Sequence, residues 1–104
     1  MPITVVAVLK VKPTSAHTAR EILAKAVEDV HREPGCDLYT LHEGDDRFIF
    51  IEQWATDEHL NAHNAGPVVQ RMVESISDHL DGEPEITIAR AVAAGDPEKG
   101  LLRP

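Results

Sequence analysis

The chain has 104 residues, and its 18 acidic against 10 basic side chains leave a formal charge of −8. One small domain is expected, burying roughly 65% of the surface its unfolded chain exposes, and the charge repels phosphate backbones, so nucleic acid is not an expected partner. The lone Cys36 excludes an internal disulfide and a Cys-x-x-Cys metal site. No apolar run approaches the roughly 18 residues that span a bilayer, and the N-terminus lacks the layout of a signal peptide, which predicts a soluble cytoplasmic protein with no membrane partner.

Ile3 to Val11 is rich in β-branched residues and stops before Pro13, as a strand does. Thr14 and Ser15 are N-cap residues for the following segment. There Ala19, Ile22, Leu23, Ala26, Val27 and Val30 recur at helical spacing, opposite charged positions. Pro34-Gly35 ends that helix, Cys36 to Glu43 forms a second strand, Gly44-Asp45-Asp46 a hairpin turn, and Arg47 to Trp54 a third strand. Asp57 is expected to cap a short helix ending at Gly66. Pro67 opens another, with Val69, Met72, Val73, Ile76 and Leu80 on one face, closed by Asp81-Gly82. Glu85 to Val92 is a fourth strand. The domain therefore occupies residues 1–92, and residues 93–104 form a tail without a core of its own, packing on a partner subunit. The order βαββαβ is that of a ferredoxin-like α+β fold, an antiparallel sheet with helices on one face.

Two strands depart from the alternation that such a sheet requires. Val5, Ala7 and Leu9 fall on one face of the first strand, yet Val6 and Val8 fall on the other. The third strand likewise sets Phe48 and Phe50 against Ile49 and Ile51. The chain has helices for one face only, so the other is expected to pack against a second copy as a homodimer.

The residues able to do chemistry gather between positions 33 and 63. Glu52 shares a strand face with Phe48, Phe50 and Trp54. A carboxylate there is costly unless it is paired, so pairing with a basic group or backbone amide competes with a catalytic role. Trp54 reads as a wall, and Tyr39 as a core ring whose hydroxyl can donate to a bound oxygen. His63 follows Leu60 by three residues, which turns both toward the sheet. It can accept a proton from a substrate hydroxyl, or instead bond a backbone carbonyl or Glu52. His59 and His63 have the i, i+4 spacing of a zinc pair, but no third ligand is evident and no metal is expected. Cys36, after its Pro-Gly turn, reads as a small buried residue rather than a nucleophile.

With Glu33-Pro-Gly-Cys36, Tyr39, Phe50-Ile-Glu-Gln-Trp54 and Leu60-x-x-His63 in place, the chain resembles the antibiotic biosynthesis monooxygenase family, specifically its small quinol-monooxygenase-like members. The resemblance spans residues 3 to 92. It implies a dimeric α/β-barrel that oxidises a phenolic or quinol-type aromatic substrate with dioxygen, without metal, flavin or haem. It further implies His63, Tyr39 and Glu52 as catalytic residues and Trp54, Phe48, Phe50 and Met72 as the substrate-binding wall. In that scheme His63 is the base, held by Glu52, Tyr39 donates to the developing oxyanion, and the aromatic residues exclude water. A haem-degrading subgroup carries an Asn on the first strand, a Trp on the short helix and a His on the next. Here the first strand has no Asn, His63 stands near that Trp, and Met72 or Val73 near that His, so haem degradation is not expected. The alternative is a non-catalytic dimer that binds an aromatic or isoprenoid metabolite.

Overall fold

Alternation along the two central strands decides which side of the sheet becomes the core. A computed structural model describes residues 2–103; Met1 and Pro104, the outer limits of the expected domain and tail, lie outside the described residues. Its elements are β1 (Ile3–Lys10), α1 (Ala16–Val30), β2 (Cys36–Glu43), β3 (Arg47–Trp54), α2 (Asp57–Ala65), α3 (Pro67–Ile76) and β4 (Glu85–Ala89). All pairings are antiparallel and the strand order is β2-β3-β1-β4, the ferredoxin-like arrangement.

β3 pairs with β1 so that Phe48, Phe50, Glu52 and Trp54 stand opposite Leu9, Ala7, Val5 and Ile3. All eight point toward the helices and are buried. α1 brings Ala19, Leu23, Ala26 and Val30 onto them, one residue per turn of its apolar stripe. Each fully buried large side chain here, such as Leu23 or Phe48, stabilises the fold by about 2–3 kcal/mol through lost apolar exposure. The other face carries Val6, Val8, Ile49 and Ile51, all half-buried, and no helix of the described residues lies on it. The alternation anomaly is thus real: an apolar strip remains open on the single chain.

Several boundaries move by a few residues for local reasons. Thr56, rather than Asp57, caps α2: its extended backbone lets the hydroxyl accept the His59 amide at 3.2 Å, leaving Asp57 and Glu58 in the first turn beside the positive helix end. Ser15 holds the N-cap position of α1 but makes no cap bond; its hydroxyl pairs with His79 Nδ1 at 3.0 Å. α3 stops at Ile76 and tightens into a single 3₁₀ turn, Ser77–His79, so Leu80 is not on the helix and instead bridges Val11. β4 ends at Ala89, three residues short of the expected Val92, and every residue in it is exposed.

The connection from α1 to β2 is the tightest turn near the future site. Gly35 has φ +77°, and a Cβ there would collide with the His59 ring. Its carbonyl accepts the Ala55 amide at 2.9 Å, which clamps the turn onto the β3–α2 junction. Asp37 is extra in the β2–β3 ladder, because Cys36 faces Trp54 and Leu38 faces Gln53. That bulge resets the alternation so that Tyr39 pairs with Glu52 and turns inward.

Candidate active site

Three helices cannot cover four strands evenly. α1 packs against α3 and over β2, and beside β1 and β4 the helix face is left with a cavity of about 590 Å³. Its walls are apolar: Val5, Ala7 and Leu9 of β1, Leu60 of α2, and Met72 and Ile76 of α3, among others. Ile86 and Ile88 form the mouth and remain 63% and 57% exposed, because none of the described residues covers them. A largely apolar concavity with few polar groups is the usual form of a small-molecule site.

The buried polar groups are Tyr39, Glu52 and His63, all lining the cavity and at most 5% exposed, while the lining residues Asn64, Ser77 and Glu83 are exposed. α2 buries only Leu60 and His63, one helical step apart, so its single inward stripe delivers the imidazole. The ring lies over Trp54 with centroids 4.4 Å apart and meets Tyr39 edge-on at 5.6 Å. His63 Nδ1 is 2.5 Å from Glu33 Oε1. A carboxylate only accepts, so Nδ1 carries the hydrogen and Nε2 of the neutral ring keeps a free lone pair.

Glu52 is stabilised differently from expectation. Its Oε1 accepts the Trp54 indole N–H at 2.9 Å, and neither a basic group nor His63 pairs with it. Burial pushes its carboxyl up to about 7; the Trp54 bond opposes this, and the negative Glu33 adds to it. Burial, with Glu52 and then Glu33 adding to it, drives the Tyr39 phenol well above its ordinary range, so Tyr39 stays protonated and able to donate. Cys36 is likewise pushed up to about 11 by burial and then by Glu33, Glu52 and Asp37, which leaves an inert thiol.

Among the described residues no sealed side-chain nitrogen or oxygen lacks a partner. The Tyr39 hydroxyl, Glu52 Oε2 and His63 Nε2 have no hydrogen-bond partner among the described residues, so none is sealed, and all three residues line the cavity. Three unclaimed polar atoms converge on one apolar space, and between them they can accept one proton and donate hydrogen bonds to an oxygen.

Of the residues expected from sequence, Tyr39, Glu52, His63, Phe50 and Met72 line this cavity. Phe48 and Trp54 do not. They are 1% and 0% exposed and stand behind the wall, Trp54 as the backing of His63 and the donor to Glu52. The hydrogen-bond partner of His63 is Glu33, not Glu52. Glu33 belongs to the Glu-Pro-Gly-Cys run, whose Gly35 turn places it there, and a carboxylate just before a forced turn is the signal that its own role escaped. Ile86 and Ile88 were also missed, although their i, i+2 spacing on the last strand marks a shared face. His59 is turned away to Thr56 at 2.8 Å, and among the described residues no three His, Cys, Asp or Glu side chains cluster as a metal set.

The Glu52 environment has a measurable consequence. At 4% exposed and raised from 4.5 to about 7, its folded form retains a proton that the unfolded chain releases, so this group's contribution is full below pH 4.5 and falls as pH rises to about 7. The difference amounts to about 3 kcal/mol. Glu52→Gln, which keeps an acceptor for Trp54, should match wild type at pH 4.5 and exceed it by about 3 kcal/mol at pH 8 in urea unfolding. Equal stability at both values would show that the carboxyl is not desolvated as described.

Comparison with known proteins places this geometry. The sequence profile of the antibiotic biosynthesis monooxygenase family matches residues 2–75. No curated protein matches the sequence. Among solved structures, an antibiotic biosynthesis monooxygenase is 26% identical over 88% of this chain and 99% of its own, with a TM-score of 0.82. A conserved protein from Methanosarcina mazei Go1 is 26% identical over 86% of this chain and 92% of its own, TM-score 0.82. A Mycobacterium tuberculosis protein, 18% identical, covers 92% of this chain and all of its own at TM-score 0.84, a likeness of fold alone. The matched residues run from β1 through the helix that carries Met72, and on that match the chain belongs to the antibiotic biosynthesis monooxygenase family.

Proposed function

We propose that the chain is a cofactor-independent monooxygenase, oxidising a phenolic or quinol-type aromatic with dioxygen as a homodimer. The observation that carries this reading is that Tyr39, Glu52 and His63, each with an unclaimed polar atom, line one apolar cavity. Dioxygen is a triplet and reacts slowly with closed-shell molecules, but an electron-rich phenolate can pass it one electron. The protein then has to bind the phenol, take its proton and keep the radical pair dry. His63 Nε2 is the acceptor, and Glu33 on Nδ1 orients the ring and stabilises the imidazolium that forms. Tyr39, and Glu52 in its protonated form, donate toward the phenolate oxygen as charge grows there. Phe50 and Met72 hold the ring system and exclude water. In the overall reaction a CH₂ group of the substrate becomes C=O. One oxygen atom enters the product, and the other leaves as water with the two hydrogens removed, so the substrate supplies every electron.

The second reading is a dimer that only holds an aromatic or isoprenoid metabolite. The open mouth at Ile86 and Ile88 favours it, since water reaches the cavity there. An oxygen electrode separates the two. With anthrone, whose enol is a phenol, the monooxygenase reading expects one dioxygen consumed per anthraquinone formed. His63→Ala should lower turnover about 10²- to 10⁴-fold while the variant stays folded. No uptake above the buffer rate with any phenol that binds would leave the binding-only reading, and full activity in His63→Ala would remove the base assigned here.

One further support concerns assembly. Val6, Val8, Ile49 and Ile51 form an apolar strip that no helix of the described residues covers, suited to the same strip on a second copy, with residues 93–103 packing on the partner. Sedimentation at micromolar concentration should give twice 11.4 kDa, and Val8→Lys should return a monomer. A wild-type monomer would sink the dimer.

A further inference from the structure

The closed end of the cavity is unbalanced in charge. Glu52 lines it, Glu33 stands directly behind His63, and no Lys or Arg is among the lining residues. Around Glu52 stand the Trp54 indole that donates to it, Val5 opposite on β1 and Tyr39 opposite on β2, with His63 against the rings of Tyr39 and Trp54, and Glu33 and Cys36 beyond. Only the imidazole among these can be a cation, and Glu33 already claims it. Glu83, exposed near the mouth, has the same negative sign.

Resting on the reading of this cavity as a phenol site, we propose that Glu52 is its specificity residue. It acts as a charge filter that admits aromatic phenols neutral at their buried end and rejects congeners bearing an acid group beside the hydroxyl. An anionic ligand group brought to this end loses its water and meets no cation. If Glu52 is ionised, the two carboxylates repel across a poorly screened space. If Glu52 takes a proton to relieve that, the ligand's affinity carries the cost of the uptake, which grows with pH. Either way the acid congener binds more weakly, and the discrimination comes from a like charge and a missing cation rather than from shape. A neutral phenol meets none of this, because its hydroxyl donates to His63 Nε2 and accepts from Tyr39.

A ligand pair of nearly equal size isolates the effect. Isothermal titration calorimetry without oxygen, at pH 8, compares methyl 3-hydroxy-2-naphthoate with the free 3-hydroxy-2-naphthoate anion. The ester should bind at least about 30-fold more tightly, a difference of about 2 kcal/mol. In Glu52→Gln, whose amide keeps the size of the side chain, that preference should shrink at least about fivefold, chiefly through tighter binding of the acid. Equal binding of acid and ester to wild type overturns the proposal. So does a preference that Glu52→Gln leaves unchanged, and so does failure of the ester to bind at all. The wild-type ratio alone is decisive if the variant does not fold. Because binding is read without turnover, the outcome is separable from the monooxygenase reading: a selective protein that consumes no oxygen loses the activity and keeps the filter, while an active one that accepts both ligands equally loses only the filter.

Discussion

The contact between Glu33 and His63 is the interaction on which the rest of the site depends. It joins three pieces of backbone that the fold brings together for unrelated reasons: the turn after α1, the end of α2 and the start of α3. The turn is fixed by Gly35, whose left-handed backbone and carbonyl bond to Ala55 leave Glu33 little freedom. The far oxygen of Glu33 lies close to Gly66, the N-cap of α3, where a negative charge is favoured by the helix end. His63 is therefore held from behind, with Trp54 stacked on its ring and its second nitrogen directed into the cavity. Without Glu33 the buried imidazole would have an unpaired N–H, costing about 1–3 kcal/mol, and no preference between its two tautomers.

A second consequence concerns polar atoms in an apolar setting. Glu52 is tolerated on the core face because one oxygen has the Trp54 indole, and the other has the space of the cavity. The indole and the carboxyl thus explain each other: the only Trp needs an acceptor, and the buried carboxyl needs a donor. The incomplete pairing is what leaves this part of the cavity able to take up a ligand oxygen. A fully satisfied set of side chains would be inert core, whereas here a ligand oxygen completes the hydrogen bonding. The open β4 side keeps that space from being filled by the chain itself.

Much of this was legible in the sequence. The strands, the hairpin and α1 follow from period-two and period-3.6 patterns that the packing reinforces, and the doubled apolar faces of β1 and β3 announced an uncovered surface. The cap at Thr56 was displaced by one residue because Thr-Asp offers two competent caps and only the backbone angles choose between them. The end of α3 was overrun because Leu80 continues the helical spacing while a long-range bridge to Val11 takes it elsewhere. Within the site, the residue types were visible, but their partners were not. Glu52 and His63 both sit on inward faces, which invited pairing them, yet the indole two residues along reaches Glu52 first, and Glu33, thirty positions before His63, reaches the imidazole. Phe48 and Trp54 share the strand face of Phe50 but do not line the gap, Trp54 lying against His63 of α2 instead, a distinction that depends on how three helices distribute over four strands. The cavity itself is a void between elements, and no local pattern encodes one.

The central claim is that Glu33 fixes His63 in the tautomer whose Nε2 lone pair faces the cavity. Long-range proton–nitrogen correlation of the imidazoles, with His63 assigned through a His63→Gln variant, reads this directly on the protein without any ligand. At alkaline pH, where the ring is read in its neutral form, the account predicts Nδ1 protonated and Nε2 at the shift of a bare, accepting nitrogen, and loss of that single-tautomer signature in Glu33→Ala. A neutral His63 carrying its hydrogen on Nε2 would contradict it, because Glu33 would then not set the tautomer and the proposed proton acceptor would be a donor.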